Sequence, residues 1–177
     1  MFTLPNLFTL ARLVLAPFVA SDILHGRDGR AIILLFAAGF TDVIDGFLAR
    51  RFKISTRAGA YFDPIADKIL LSVVYVSLGF AGAMPWWMVA VVFGRDVLIL
   101  AMAGYGLLFT SLRKFPPSVW GKISTLLQIA AALVVMGARA GIPAPVTLAL
   151  SLMLAATIVS GLNYIWRGMG MLRETAH

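Results

Sequence analysis

Six apolar segments, each about twenty residues long, constrain the fold of this chain more than any other feature. They cover residues 7–24, 31–50, 60–82, 86–109, 119–138 and 143–166. A helix of about twenty apolar residues crosses the hydrocarbon core of a bilayer, and helices satisfy every backbone polar group in lipid. With 60% hydrophobic and 13% charged residues, the composition differs from that of soluble proteins. The sequence therefore predicts an all-α integral membrane protein with six transmembrane helices, in one domain over residues 1–177.

The basic residues set the expected orientation. Nine of the fifteen lie on one side of the predicted spans, together with both termini: Arg50, Arg51, Lys53, Arg57, Arg113, Lys114, Lys122, Arg167 and Arg173. Arg27, Arg30 and Arg139 lie in the opposite loops. Because basic loops stay in the cytoplasm, the first side is expected to face the cytoplasm, across a bacterial inner membrane or an equivalent bilayer. The net charge of +7 then indicates contact with anionic membrane lipids and not with nucleic acid.

Two of the predicted helices carry a concentration of acids, since four of the chain's eight lie between residues 42 and 67. At about 100° per residue, the acids of each helix share one face with small residues. These stripes are Asp42, Asp45, Gly46 and Ala49 in the second segment, and Gly59, Asp63 and Asp67 in the third. A charged carboxylate within a membrane is costly without a partner, so four of them together require cations.

Divalent metal ions are the natural partners, because carboxylate oxygens suit Mg²⁺, Mn²⁺ or Ca²⁺. Two such ions can clamp a diphosphate and activate an attacking hydroxyl. Gly46 would let a bulky substrate approach the backbone, and Arg50, one turn further, could bind a phosphate. The spacing therefore favours metal-dependent phosphoryl chemistry. A small cation transporter with intramembrane acids is the alternative from another class, but it gives Gly46, Ala49 and Arg50 no purpose.

The run Asp42-x-x-Asp45-Gly46-x-x-Ala49-Arg50-x8-Gly59-x3-Asp63-x3-Asp67 resembles the motif of the CDP-alcohol phosphatidyltransferases at every fixed position. The resemblance implies a six-helix, homodimeric membrane enzyme that moves a phosphatidyl group from CDP-diacylglycerol to an alcohol and releases CMP. It implies that the four aspartates hold two divalent cations, Mg²⁺ or Mn²⁺, and that Asp67 is also the general base. It further implies a nucleotide and diphosphate site formed by Gly46, Ala49, Arg50 and Gly59.

The acceptor alcohol is indicated by resemblance outside this motif. The stretches at 5–12, 63–78 and 121–125, with Leu15-Ala16-Pro17 and Arg95-Asp96-Val97, are similar to eukaryotic-type cardiolipin synthases. Those enzymes use phosphatidylglycerol. Phosphatidylglycerophosphate synthases, which use glycerol 3-phosphate, resemble the same stretches but typically have Arg-Glu where this chain has Arg95-Asp96. Cardiolipin synthesis is favoured, and glycerol 3-phosphate stays open as the alternative acceptor.

Three basic residues inside or at the ends of the segments are candidates for binding acceptor or lipid phosphate: Arg12, Arg95 and Lys122. Each has a structural alternative. Arg95 and Asp96 could neutralise each other, Lys122 could be an anchor at the membrane surface, and Arg12 could have a purely structural role.

The pair Asp63-Pro64 predicts where the third helix begins. Proline lacks a backbone N–H and disfavours a helical conformation in the preceding residue. It is tolerated in the first turn, where the amides have no intrahelical partner. The third helix is therefore expected to begin between Gly59 and Asp63.

Overall fold

In a computed structural model, the chain is described over residues 4–52, 57–109 and 118–174, with side chains described over 11–40, 68–102 and 118–167. Within the described residues all regular structure is α-helical, so the predicted all-α class is confirmed. The helices are α1 Leu4–Leu24, α2 Asp28–Phe52, α3 Arg57–Phe80, α4 Trp86–Phe109, α5 Val119–Arg139 and α6 Val146–Glu174.

Glycines in the left-handed conformation end α1 and α5. Gly26 has φ 71° and Gly141 has φ 89°, a conformation that a residue with a Cβ adopts at a cost. The amide after each glycine donates to a carbonyl five residues earlier, from Arg27 to Asp22 at 2.8 Å and from Ile142 to Gly137 at 3.0 Å. This pattern satisfies carbonyls that the last turn leaves unpaired, and it fixes where both helices stop.

The expected start of the third helix is wrong. α3 begins at Arg57, two residues before Gly59, so Pro64 is its eighth residue and lies beyond the first turn. Its missing N–H leaves one backbone carbonyl without the usual intrahelical bond. The expectation that proline occurs only in the first turn of a helix does not hold for this chain, since α1 also contains an interior proline, Pro17.

The helices form two compact units. The first comprises Met1–Met84 with Val135–Ala144, and the second comprises Pro85–Val134 with Pro145–His177. In the first unit α1 packs against both α2 and α3, and in the second α4 packs against α6. α1 therefore contacts both helices that carry the motif aspartates. The prediction of one domain over the whole chain stays a prediction.

The outer surfaces of the helices are strongly apolar. Large side chains are 57% to 67% exposed on four different helices, at Phe18, Phe36, Phe40, Leu100 and Leu126. By length and mean hydropathy, two helices among the described residues are candidate membrane spans. They are Val119–Arg139, with a mean hydropathy of 1.7, and Val146–Arg167, with 1.8. Membrane crossing by all six helices stays a prediction.

Candidate functional site

The motif residues lie on two helices of the first unit. α2 carries Asp42, Asp45, Gly46, Ala49 and Arg50, and α3 carries Gly59, Asp63 and Asp67. These positions fall outside the ranges in which side chains are described. The convergence of the four carboxylates, and the roles of the other four residues at a nucleotide, therefore stay predictions.

Counted in residues from the facing ends of α2 and α3, the acids of the two helices have matching positions. Residues 53–56 connect α2 to α3, and both helices pack against α1. At a rise of 1.5 Å per residue, Asp45 lies about 10 Å before the end of α2 and Asp63 about 9 Å after the start of α3. Asp42 and Asp67 both lie about 15 Å from the same ends. Matching positions on two helices that both contact α1 are compatible with the predicted metal site, which stays a prediction.

Arg12 is buried in α1, the helix that contacts both aspartate helices. It is 1% exposed and lies about 18 Å before the end of α1. Asp42 lies about 21 Å after the start of α2, and only residues 25–27 separate the two helices. Arg12 and Asp42 are thus at nearly the same distance, counted along their helices, from the turn between α1 and α2.

In the second unit, a buried guanidinium connects three helices. Arg95 of α4 is 7% exposed, and its Nη1 donates to Oδ1 of Asp96 at 2.7 Å. Its Nη2 donates to the carbonyl of Gly121 on α5 at 3.2 Å. Nε and Nη2 donate to Oγ of Ser160 on α6 at 3.2 and 3.0 Å. All three guanidinium nitrogens of Arg95 therefore have protein acceptors.

Gly121 lies where these polar groups meet. A Cβ at this position would be 3.0 Å from Oη of Tyr164, 3.3 Å from Nη2 of Arg95 and 3.3 Å from Oγ of Ser118. Ser118 caps α5, because its Oγ accepts a hydrogen bond from the amide of Gly121 at 3.0 Å. The amide of Ser118 donates in turn to Oη of Tyr164 at 3.1 Å. Lys122, which is exposed, follows this tightly packed glycine directly.

A second polar group, which the sequence did not predict, lies further along α5 and α6. Nε2 of Gln128 donates to Oγ1 of Thr157 at 3.2 Å, and Ser124 Oγ lies 3.4 Å from the same oxygen. All three residues are at most 1% exposed. Their signal in the sequence is helical spacing: Gly121, Ser124 and Gln128 recur at intervals of three and four, a pattern that predicts one helix face.

Acidic and basic side chains also gather around the turn between α1 and α2. The carboxylate of Asp22 is 5% exposed and lies 2.8 Å from Nε of Arg27 and 3.7 Å from Nε of Arg30. The apolar segments predict a loop for both arginines. Arg27 does lie in the turn, but Arg30 belongs to the first turn of α2.

Arg139, also predicted in a loop, is instead the last residue of α5. Its side chain contacts the residues around the turn between α1 and α2. Its Nε lies 3.1 Å from Oδ2 of Asp28, and its Nη2 donates to the carbonyl of Ile23 at 3.1 Å. One side chain thus holds the end of α1 and the start of α2. Sequence spacing did not predict this Asp28–Arg139 pair.

The motif supplies the predicted metal ligands, and the described side chains add no further cluster. Among them, no three histidine or acidic residues lie close enough together to hold an ion. The motif offers four carboxylates, and the chain contains no cysteine. Such an all-oxygen donor set fits Mg²⁺ or Mn²⁺ and does not fit a thiolate-bound metal.

Comparison with known proteins identifies relatives of this chain. The model of the CDP-alcohol phosphatidyltransferase family matches residues 2–162. The chain is 30% identical over 187 aligned residues to a probable phosphatidylglycerophosphate synthase of Mycobacterium tuberculosis, covering 98% of this chain and 86% of the relative. It is 34% identical over 150 residues to the CDP-diacylglycerol–glycerol-3-phosphate 3-phosphatidyltransferase of Bacillus subtilis, covering 74% and 75%.

A third relative is larger than this chain. It is the cardiolipin synthase (CMP-forming) and mitochondrial hydrolase fusion protein of Schizosaccharomyces pombe, 38% identical over 104 residues. The match covers 59% of this chain and 18% of the fusion protein. Because the family model extends over most of the chain and contains every position of the aspartate motif, the family predicted from that motif is confirmed. The chain belongs to the CDP-alcohol phosphatidyltransferase family.

Proposed function

We propose that the chain is an enzyme of phospholipid biosynthesis that transfers the phosphatidyl group of CDP-diacylglycerol to phosphatidylglycerol, forming cardiolipin and CMP. The new bond joins the acceptor oxygen to the phosphatidyl phosphorus, and the bond from that phosphorus to CMP breaks. The family match over residues 2–162 carries this proposal. The cardiolipin synthase name of the S. pombe relative supports phosphatidylglycerol as the acceptor.

Glycerol 3-phosphate is the second candidate acceptor, and a specific observation favours it. The M. tuberculosis relative aligns with 98% of this chain and with 86% of its own length, whereas the cardiolipin synthase match covers 59% of the chain. The B. subtilis relative also has glycerol 3-phosphate in its name. Transfer to this acceptor would give phosphatidylglycerophosphate and CMP.

All six helices are proposed to cross the membrane, with the aspartate stripes opening toward the cytoplasm. The helices contain 21 to 29 residues, which corresponds to about 31 to 43 Å against a hydrocarbon core of about 30 Å. Trp86 and Trp120, the first residue of α4 and the second of α5, are about half exposed, as expected at a membrane interface. Family resemblance further supports a homodimer.

Each motif residue has a proposed role in the reaction. Asp42, Asp45, Asp63 and Asp67 would hold two divalent cations, which when bound supply positive charge to the diphosphate of the donor. Asp67 accepts the proton of the attacking hydroxyl. Gly46, Ala49 and Gly59 leave space for the cytidine, and Arg50 donates hydrogen bonds to a phosphate. Lys122 and Arg12 are the cations proposed for the acceptor or lipid phosphate.

An acceptor assay tests the proposal. Protein purified in detergent is supplied with Mg²⁺ or Mn²⁺, CDP-diacylglycerol and one acceptor, and both CMP and the lipid product are measured. Phosphatidylglycerol should give cardiolipin. Product with glycerol 3-phosphate alone would establish the second candidate. If no CMP is released with either acceptor, or with serine or inositol phosphate, the transferase proposal is rejected. The alternative of a small cation transporter would then be favoured.

A further inference from the structure

All three guanidinium nitrogens of Arg95 already donate to acceptors within the protein. We infer that Arg95 is a positioning residue that fixes the first turn of α5, and through it Lys122, and that it does not bind the acceptor phosphate itself. This inference rests on the proposed function, because it assigns the phosphate contact to Lys122.

The charge of Arg95 is balanced locally. The Nη1 nitrogen lies 2.7 Å from Oδ1 of Asp96, with the two side chains 6% and 18% exposed. Charge-assisted hydrogen bonds of this length are among the stronger polar contacts in proteins. A phosphate approaching Arg95 would meet a pair with no net charge, which attracts an anion far less than an unpaired guanidinium would.

The Nε and Nη2 donors of Arg95 point to two other helices. Nη2 reaches the carbonyl of Gly121, 26 residues away, and both Nε and Nη2 reach Oγ of Ser160, 65 residues away. A planar guanidinium can hold several acceptors in fixed directions at once, which a lysine ammonium cannot reproduce. Arg95 therefore fixes α5 relative to α4 and α6 within the second unit.

The first turn of α5 is held from a second direction as well. Tyr164 Oη accepts from the amide of Ser118 at 3.1 Å, and the carbonyl of Gly121 also accepts from Oγ1 of Thr125 at 3.1 Å. Successive helical residues point about 100° apart, so a fixed Gly121 also fixes the direction of Lys122. The buried contacts at Gly121 thus determine where an exposed cation lies.

A set of four variants distinguishes positioning from direct binding: Arg95→Lys, Ser160→Ala, their combination, and Tyr164→Phe. Acceptor KM, CDP-diacylglycerol KM, kcat and the midpoint of thermal unfolding are measured for each in detergent. Arg95→Lys should raise the acceptor KM about tenfold or more, since it removes charge-assisted hydrogen bonds. Ser160→Ala and Tyr164→Phe should raise it in the same direction, with the CDP-diacylglycerol KM unchanged.

The double variant provides the decisive comparison. If Arg95 acts through its contact with Ser160, the combined rise in acceptor KM is smaller than the product of the two single rises, because both changes break one contact. A combined rise in acceptor KM equal to the product of the two single rises would overturn the inference. A wild-type acceptor KM in both Ser160→Ala and Tyr164→Phe would overturn it too. Ser151→Ala, an exposed serine on the same helix, is the matched control and should keep all values.

Failure of the proposed function has a separate signature. An inactive wild-type protein would reject the transferase, while the unfolding midpoints of the same variants would still test the contact. Midpoint losses in Arg95→Lys and Ser160→Ala that add in the double variant would show that the two residues act independently, and would overturn the inference without any activity measurement.

Discussion

The side chains of Ser118, Arg95 and Tyr164 converge on Gly121, and they can do so because glycine has no Cβ. An alanine there would place a carbon 3.0 Å from the hydroxyl of Tyr164 and 3.3 Å from Arg95. Gly121→Ala should therefore lower the free energy of unfolding by about 1 to 3 kcal/mol, the usual cost of overpacking. Thermal unfolding in detergent measures this.

Gly137 offers a control on the same helix. A Cβ there would meet nothing within 4 Å, and alanine has the higher helix propensity. Gly137→Ala should leave the unfolding midpoint unchanged or raise it slightly. Equal losses in the two variants would mean that the packing at Gly121 has no special importance.

Asp67 carries the most specific chemical prediction at the level of a single residue. If it accepts the proton of the acceptor hydroxyl, Asp67→Asn should lower kcat by about 10²- to 10⁴-fold, the usual contribution of a general base. CMP release by the folded variant measures this. Glu174→Gln, an acid-to-amide change outside the motif, should keep full activity. Near-normal turnover by Asp67→Asn would remove the residue from its proposed role.

Single residues also show how far sequence alone can predict a site. The motif aspartates are visible because charged groups inside apolar segments require an explanation, and their spacing matches a known motif. Ser160 and Tyr164 carry no such signal, since isolated hydroxyls are common in apolar helices. Their importance comes from Arg95, 65 residues before Ser160, and a pairing over that distance is determined by helix packing.

At the level of helices, the Asp28–Arg139 pair connects the end of α5 to the turn between α1 and α2. Asp28 is 2% exposed, and removal of one partner would leave the other as a buried, uncompensated charge. Arg139→Gln should therefore lower the free energy of unfolding by about 3 kcal/mol or more. The double change Arg139→Gln with Asp28→Asn should recover part of the loss, because it removes both charges.

Arg30 is the appropriate control for this pair. Its side chain is 69% exposed and lies 3.7 Å from Asp22, and exposed ion pairs contribute at most about 1 kcal/mol. Arg30→Gln should shift the unfolding midpoint little. If Arg139→Gln were equally mild, the pair would not be holding the first unit together.

Helix boundaries show which elements the sequence predicts well. The predicted fourth segment, 86–109, coincides with α4, and the fifth ends one residue before α5 does. α6 instead continues to Glu174, eight residues beyond the predicted segment. Apolar runs report where a helix can contact lipid, whereas a helix can continue through polar sequence as long as its backbone bonds continue.

For the whole molecule, the number of membrane crossings has a direct test. The chain contains no cysteine, so a single introduced cysteine is the only site for a maleimide. Six crossings put residue 25 outside and residue 177 in the cytoplasm. His25→Cys should then react with a membrane-impermeant maleimide in intact cells, and His177→Cys only after lysis.

The alternative of two crossings, by α5 and α6 alone, gives a different pattern. It puts residues 25 and 177 on the same side, so the two variants would react alike. The unmodified chain, which has no thiol, measures background labelling. Identical labelling of both variants would exclude the six-span topology.

The contact between Arg139 and Ile23 joins positions 116 residues apart, which has a consequence for biogenesis. At a translation rate of about 5 to 20 residues per second, Ile23 leaves the ribosome about 6 to 23 seconds before Arg139, whose side chain binds its carbonyl. Until then Asp28 has no Arg139 to neutralise it. The α1–α2 hairpin should therefore enter the bilayer before Asp28 is paired. Until Arg139 arrives, it should be a substrate for insertion chaperones and quality-control proteases.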